Sequence, residues 1–375
     1  MRTVFAVCDT EQTYAFNLME YLNSRLRVPF EIQMFTAPEA LVSFASVRHV
    51  DLLLVSERAA TEEVRNLPVG KLMILSEGSV PESLAAYPAV SKYQSADQVV
   101  REVMDFYSAQ QSAAEPARIL RPDCRKIGVI STWEPGLRTA FAIALGEILA
   151  ERRNVLYVSL DPWDGTASLF DDHPDRTISD LLYYYRQGKN GLIYCAESMI
   201  RTVRGMHYIP PAAHPGDLLL MNAEQWSGLF NELTETGACD TLILDMGSRM
   251  TDPEGILSFC SEIYLPVSAD LLAERSVDTW LLWAEDNHAE WSGRVETVPL
   301  DRNIVEEIRA VFDTGDAGNT SDVKMRLEAL NRGLLGRKIR EAEDKRQQEK
   351  RRQEKRRQAE RPACDPEGLL KTGAI

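Results

Sequence analysis

Residues 125–161 read RKIGVISTWEPGLRTAFAIALGEILAERRNVLYVSLD, and this stretch constrains the fold more than any other. Lys126–Ile130 and Val155–Leu160 are short apolar runs, the pattern of strands buried on both faces. Between them, Arg138–Ala150 places Phe141, Ala144, Leu145, Ile148 and Leu149 on one side of a helix. Two such strands joined through a helix pair in parallel, and a parallel sheet needs helices on both faces. Further strands are expected at Thr241–Asp245, Glu262–Val267 and Arg294–Val298, so residues 125–335 are read as one doubly wound parallel-sheet domain.

The same alternation fills residues 1–110. Strands are expected at Val4–Cys8, Phe30–Phe35, Asp51–Val55, Lys71–Leu75 and Ala89–Ser91, with helices over Thr13–Leu26, Pro38–Val47 and Ala96–Ala109. In the last helix Val99, Val100, Val103, Met104, Phe106 and Tyr107 form a broad apolar stripe, read as core. Residues 111–124, most of them in the stretch SAQQSAAEPARILRPD, read as a linker between two α/β domains. With 375 residues the chain holds both domains and a charged helical tail, 336–375.

The turn before the helix at Arg138 decides what the βαβ unit is. The element order, the Arg138-Thr139 pair and the later LILD ending at Asp245 resemble the deviant Walker A ATPases of the MinD/ParA type. With a receiver-like domain in front, the chain resembles the Tad-pilus positioning branch of that family, the TadZ/CpaE type, over roughly residues 1–310. The resemblance implies a nucleotide site built from Gly136, Arg138, Thr139, Asp161 and Asp245. Thr139 would be the hydroxyl that holds Mg²⁺, Asp245 the Walker B aspartate, and Asp161 an acid that organises magnesium and water. Ser159 stands where the family carries an earlier aspartate. Aspartates at strand ends also cap the turns that follow, so a purely structural role stays open for both acids.

The family loop is K-G-G-x-G-K-T-[ST]. Aligned on Arg138 as its last lysine, it puts Thr132 at the glycine before the motif and Trp133 at the signature lysine. Glu134 and Pro135 fall at the two glycines, Leu137 at the third, and Ala140 replaces the final hydroxyl. A phosphate cradle turns successive backbone N–H groups inward, often at positive φ. Pro135 has no N–H to give, a loss of about 1.5–3 kcal/mol for a hydrogen bond to a charged group. Leu137 costs about 1–2 kcal/mol if held left-handed. Glu134 brings like charge to the phosphates, and Arg138 keeps the charge of lysine without its compact ammonium. Together the losses exceed about 5 kcal/mol, more than a thousandfold in affinity. The site is read as vestigial.

The first domain carries a parallel loss. In a receiver the first strand ends in acids and the third ends in the aspartate that accepts phosphate. Here Cys8-Asp9 closes the first strand, and DLLLVSE puts Ser56 at the acceptor position with Glu57 beside it. Ser76 and Lys92 fall at the places of the usual hydroxyl and lysine. Without an acceptor carboxylate this pseudo-receiver is expected to act as a docking or dimerising surface.

Charge narrows the partners. Arg337 to Arg361 holds 12 Lys/Arg against 6 Asp/Glu, a local +6; the full chain carries −15, which leaves −21 elsewhere. A chain this acidic does not coat DNA or an anionic bilayer as a whole. The tail has strong helix formers and pairs such as Glu341/Lys345, but almost no apolar residue after Ile339. It is expected to be a solvated helix, open to nucleic acid, lipid headgroups or the chain's own acidic body. No run approaches the ~18 apolar residues of a membrane span, and the start lacks a secretory pattern, so a cytoplasmic protein is expected. Cys8, Cys124, Cys195, Cys239, Cys260 and Cys364 lie far apart with no C-x-x-C pair and read as free thiols. His207 and His214 have no third ligand nearby, so no metal site is expected.

These features predict a non-catalytic or weakly nucleotide-binding scaffold for spatial positioning, as of a pilus or secretion assembly, with protein partners and a homodimeric form. Two alternatives stay open: an active localisation switch that uses ATP and magnesium through an unorthodox loop, and a nucleic-acid-associated partitioning protein that uses residues 337–361.

Overall fold

The computed structural model describes residues 3–25, 30–109, 124–166, 170, 174–188, 191–235, 239–247, 250–312 and 328–359. Most of the expected linker, Asp171, Asp172 and Cys364 lie outside these residues.

Five strands form the first sheet: β1 (Thr3–Cys8), β2 (Phe30–Phe35), β3 (Leu52–Ser56), β4 (Lys71–Ser76) and β5 (Ala89–Ser91). All pair in parallel, in the order β2-β1-β3-β4-β5. Successive side chains on a strand point to opposite faces, so Phe5 and Val7 meet Leu18, Leu22, Val103 and Met104 from helices Gln12–Arg25 and Ala96–Ala109. Val4 and Ala6 meet Leu41 and Val64 from helices Pro38–Ala45 and Glu62–Arg65 on the other face. Both faces are thus covered by apolar helix stripes, as a parallel sheet requires.

The second sheet holds β6 (Arg125–Val129), β7 (Val155–Ser159), β8 (Arg201–Val203), β9 (Met206–Ile209), β10 (Thr241–Asp245), β11 (Glu262–Ser268) and β12 (Val295–Leu300). Their order is β12-β11-β6-β10-β7-β9-β8. One strand departs from the expected all-parallel pattern: β8 runs antiparallel to β9. Arg204 and Gly205 link the two at φ of 45° and 84°, and positive φ at both central residues is the hairpin turn that matches strand twist. The chain order reverses direction across β6, with β10 on one side and β11 on the other. In an open α/β sheet, such a reversal leaves a crevice at the carboxyl ends of the strands.

The two sheets meet through helix Leu192–Met199, which lies along Ala96–Ala109. Its Ile193 and Tyr194 join the core of the first sheet. The Tyr194 ring stands edge-on to Tyr107 at 4.8 Å and tilted to Phe30 at 5.4 Å. Among the three consecutive tyrosines nearby, Tyr184 is buried and its hydroxyl donates to the Ser108 carbonyl at 3.4 Å, while Tyr183 is exposed.

The tail departs from the expectation of a solvated helix. Leu334–Ala359 is helical, and Leu335 and Ile339 are fully buried in one core with Leu330, Val298 and Ile308. The same face continues in charge. Glu343 accepts from Arg125 Nη1 at 2.8 Å and Nη2 at 2.7 Å, and the Arg125 Nε donates to Glu262 at 2.9 Å. Arg346 and Lys350 also reach Glu262, whose side chain is fully buried at the start of β11. The tail therefore meets the chain's own acidic body, because a buried carboxylate needs cations at close range. Among the described residues, no helix is long and apolar enough to cross a membrane.

Candidate functional site

The crevice opens where β6 turns into the next helix. That helix spans Pro135–Ala150 and begins three residues before the expected Arg138, with proline at its first position, where a missing N–H costs nothing. Gly136 and Leu137 are thereby helical, and among the described residues positive φ occurs only at Gly188, Gly191, Arg204, Gly205 and Asp252. The left-handed strain expected at Leu137 is absent because the first helical turn has replaced the loop. Ser131 closes what remains. Its Oγ accepts from the N–H groups of Trp133 at 3.3 Å and Glu134 at 3.1 Å, and donates to the Glu134 carbonyl at 3.2 Å. Two N–H groups that a phosphate cradle would present are held by a side chain. Glu134 pairs with Arg309 at 2.8 Å, which relieves the like charge expected there.

Arg138 organises the floor of the crevice. Its side chain is 1% exposed, with Nε donating to Asp245 Oδ1 and Nη2 to Asp161 Oδ2 at 2.6 Å and Thr139 Oγ1 at 3.3 Å. Asp245 is fully buried at the end of β10, and its second oxygen accepts from the Tyr157 hydroxyl at 2.8 Å. Asp161 uses its other oxygen to accept the Trp163 N–H at 2.9 Å. Burial works against the Arg138 charge, but Asp245 and Asp161 outweigh it and raise its pKa above the usual value. Burial, then the Asp245 charge, pushes the Tyr157 hydroxyl well up. Gly247 completes the packing: a Cβ there would lie 2.7 Å from the Asp161 Cα, so only glycine lets the two segments approach.

A cleft of about 750 Å³ lies above this floor, lined by Gly136, Arg138, Thr139, Asp161, Trp163 and Asp164 among others. Four of the five residues singled out in the sequence therefore share one wall, and Asp245 lies beneath them. Tyr157 and Asp164 were missed. Asp164 had a visible signal, three residues after Asp161 in LDPWDG, and burial pushes its carboxyl up to about 6. Tyr157 had none, because its role depends on β7 pairing with β10.

A magnesium nucleotide does not fit this arrangement in the way the resemblance implies. Both aspartates are bound to one guanidinium, two N–H groups of the turn are tied to Ser131, and Pro135 has none. Among the described residues, no group of three or more His, Cys, Asp and Glu side chains is placed to hold a metal ion. His207 is instead within 2.8 Å of Thr202 Oγ1 across the hairpin, and His214 precedes helix Pro215–Leu219.

The first sheet carries a second cluster at its carboxyl edge, in which one cation is set among acids. Lys92 and Asp9 are both buried, and the ammonium lies 2.7 Å from Asp9, 2.9 Å from Glu11 and 3.6 Å from Glu77. Ser56 is fully buried at the end of β3, in the acceptor position, and its Oγ has no hydrogen-bond partner. Glu57 turns to β4, where it accepts from Ser76 Oγ at 2.6 Å and the Glu77 N–H at 3.0 Å. The site has the cation and the hydroxyl of a receiver around a serine.

Residues 1–108 match the family model described as the TadZ-like receiver domain. Over this part the chain is similar to a TadZ-like receiver domain. The expected receiver resemblance is borne out there. No curated protein matches the sequence. Solved structures similar to the chain include a ParA family ATPase from Chlorobium tepidum TLS, at 14% identity over 57% of this chain and 96% of that one, TM-score 0.45. The MinD cell division protein of Aquifex aeolicus is similar at 15% identity over 58% and 94%, TM-score 0.41. A cobyrinic acid a,c-diamide synthase from Mycobacterium smegmatis, solved with a bound ATP analogue and magnesium, is similar at 20% identity over 56% and 95%, TM-score 0.38. The doubly wound second sheet behind the TadZ-like receiver domain rests on its own strand order and register.

Proposed function

We propose that this chain is a non-catalytic MinD/ParA-like scaffold for spatial positioning, whose nucleotide site is closed by its own arginine. The observation that carries the proposal is the buried Arg138, which binds Asp161 and Asp245 at once. Opening that cluster for a divalent cation and phosphates requires breaking the buried Arg138–Asp245 pair and the partly buried Arg138–Asp161 pair, and removing one partner of a buried pair typically costs about 3–5 kcal/mol. In this reading residues 1–110 are a docking module, residues 111–124 a linker, and residues 125–335 a rigid platform clasped by the tail. The TadZ-like receiver domain supports protein partners in a Tad-type pilus or secretion assembly, with a cytoplasmic homodimer as the working form.

Calorimetry of the full chain with Mg-ATP at submillimolar concentration tests the closed site. The expected result is no binding heat, and no turnover above a control. A micromolar Kd that Asp245→Ala abolishes would overturn the proposal.

The reading as an ATP-dependent switch draws on one specific feature, the cleft that Gly136, Thr139 and Asp161 still line; the same titration decides it. Contact of the docked residues 345–350 with nucleic acid or anionic membrane is disfavoured, since Arg346 and Lys350 face Glu262 and Lys345 faces Glu296.

A further inference from the structure

Cys124 and Cys239 are 115 residues apart in sequence, and their sulfurs lie 3.8 Å apart. The sheet brings them together. β6 and β10 are parallel neighbours with Arg125 opposite Thr241, and the Arg125 N–H donates to the Asp240 carbonyl at 2.9 Å. The residues just before the two strands are therefore side by side, at the opposite end of the sheet from Asp245. Cys239 is 2% exposed, whereas Cys124 is half-buried, so Cys124 is the more accessible residue of the pair.

Neither Cys8 nor Cys260 shares this setting. Both sit fully buried in apolar cores, where burial first of all pushes each thiol up to about 12. Cys124 moves the other way. The Cys239 thiol hydrogen-bonds to it and Lys126 adds positive charge nearby, which outweighs burial and Asp240 and lowers its pKa. A thiol that ionises more readily, is reachable from solvent and has a second sulfur in van der Waals contact is the arrangement in which oxidation proceeds to a disulfide.

We propose that Cys124 and Cys239 form a redox-responsive site, oxidised by peroxide to a disulfide that ties β6 to β10. The Cys124 thiolate attacks one peroxide oxygen; the O–O bond breaks, Cys124 becomes a sulfenic acid, and the departing hydroxide takes up the proton that the thiol released, giving water. The Cys239 sulfur then attacks the sulfenic sulfur; the S–S bond forms, the S–O bond breaks, and the hydroxyl leaves with the Cys239 proton as a second water. The two thiols lose two electrons and two protons, and the peroxide gains both. A disulfide spans about 2.0 Å between sulfurs, so closure needs a shift of less than about 2 Å, within reach of side-chain rotation at the half-buried Cys124. The bond links the strand that leads into the Arg138 turn with the strand that ends in Asp245. It also closes a long loop in the unfolded chain, which favours the folded state.

The test uses the full chain carrying Cys364→Ser, so that this cysteine cannot crosslink two copies. After treatment with hydrogen peroxide, alkylation and digestion, mass spectrometry is expected to find a peptide pair joined through Cys124 and Cys239, released by dithiothreitol. The melting temperature of the oxidised chain is expected to rise by about 5 °C or more. In a Cys239→Ser variant, Cys124 is expected to yield a sulfenic acid trapped by dimedone and no joined peptide. The proposal is overturned if peroxide leaves both thiols free to alkylate, if it drives Cys124 to sulfinic acid while Cys239 stays reduced, or if joining lowers the melting temperature.

Discussion

The guanidinium of Arg138 donates from Nε to Oδ1 of Asp245, joining the first helical turn after β6 to the last residue of β10 with both side chains buried. Two strands that are neighbours in the sheet are thereby tied at their carboxyl ends by charge as well as by backbone hydrogen bonds. The Lys92 and Asp9 pair links the carboxyl ends of β5 and β1, two strands of the first sheet that are not neighbours. In each domain a side-chain cation lies among the acids.

Arg138→Ala leaves Asp161 and Asp245 close together without a cation. Urea unfolding is expected to show a loss of about 3–5 kcal/mol. The double variant Arg138→Met/Asp245→Asn removes charge from both sides and is expected to recover much of that loss. Strictly additive effects in this cycle would show that the two residues are not coupled.

Truncation divides the tail into two parts. Removing residues 351–375 is expected to leave the melting temperature within about 1 °C, since Arg351 and Arg352, which follow the docked turns, are exposed and exposed side chains contribute little. Removing residues 334–375 uncovers the core around Ile308 and leaves Glu262 and Arg125 short of partners, with an expected fall of more than about 5 °C in scanning calorimetry. Equal melting temperatures for the two truncations would show that the docked turns contribute nothing.

Two carboxyl groups set opposite trends with pH. Despite its burial, Glu262 is held down to about 2 from an ordinary 4.5 by the Arg125 hydrogen bond and charge, with Lys350 and Arg346 behind it. Its contribution, roughly 3 kcal/mol, is present above pH 4.5 and is lost as pH falls through about 2. Asp164, raised from 3.8 to about 6, contributes in full below pH 3.8 and loses that contribution as pH rises through about 6. Melting temperature against pH is expected to flatten on the acid side in Glu262→Gln. Asp164→Asn is expected to melt higher than the parent at pH 7.5 and level with it near pH 4; a uniform shift at both pH values would contradict the assignment.

Tyr194 couples the two sheets through Phe30 and Tyr107. Tyr194→Ala is expected to destabilise by about 3 kcal/mol, in the range for deleting a large buried aromatic side chain. It is also expected to make the chain more sensitive to limited proteolysis between the sheets, without changing the isolated helical content seen by circular dichroism. Unchanged proteolysis would show that other contacts hold the domains together.

Much of this fold was legible along the chain. The apolar runs marked the strands of the first sheet to within about two residues, because a strand covered on both faces must be continuously apolar whatever its neighbours are. The spacing of Asp9, Ser56, Ser76 and Lys92 along a receiver pattern anticipated that they share one edge of the sheet. Gly136, Arg138, Thr139, Asp161 and Asp245 were grouped by the resemblance, and the fold brings them to one crevice, where strand ends and helix starts of a doubly wound sheet converge.

What the residues do to one another in that crevice was decided only in three dimensions. Pro135 permits either a loop or a helix start; the helical start follows from packing Leu137 into the core, and it removes the cradle that Gly136 would have served. The tail shows the same division. Its docking face passes from Leu335 and Ile339 to Glu343, Arg346 and Lys350, so a search for apolar periodicity stops halfway along it. The partners of those charges are Arg125 for Glu343 and Glu262 for Arg346 and Lys350, each over 80 positions away. Hydrophobic periodicity is a local property and is written in consecutive residues. Ion pairs, a tyrosine on a neighbouring strand and two sulfurs in contact depend on which distant segments the sheet order makes adjacent, and that order belongs to the tertiary structure alone.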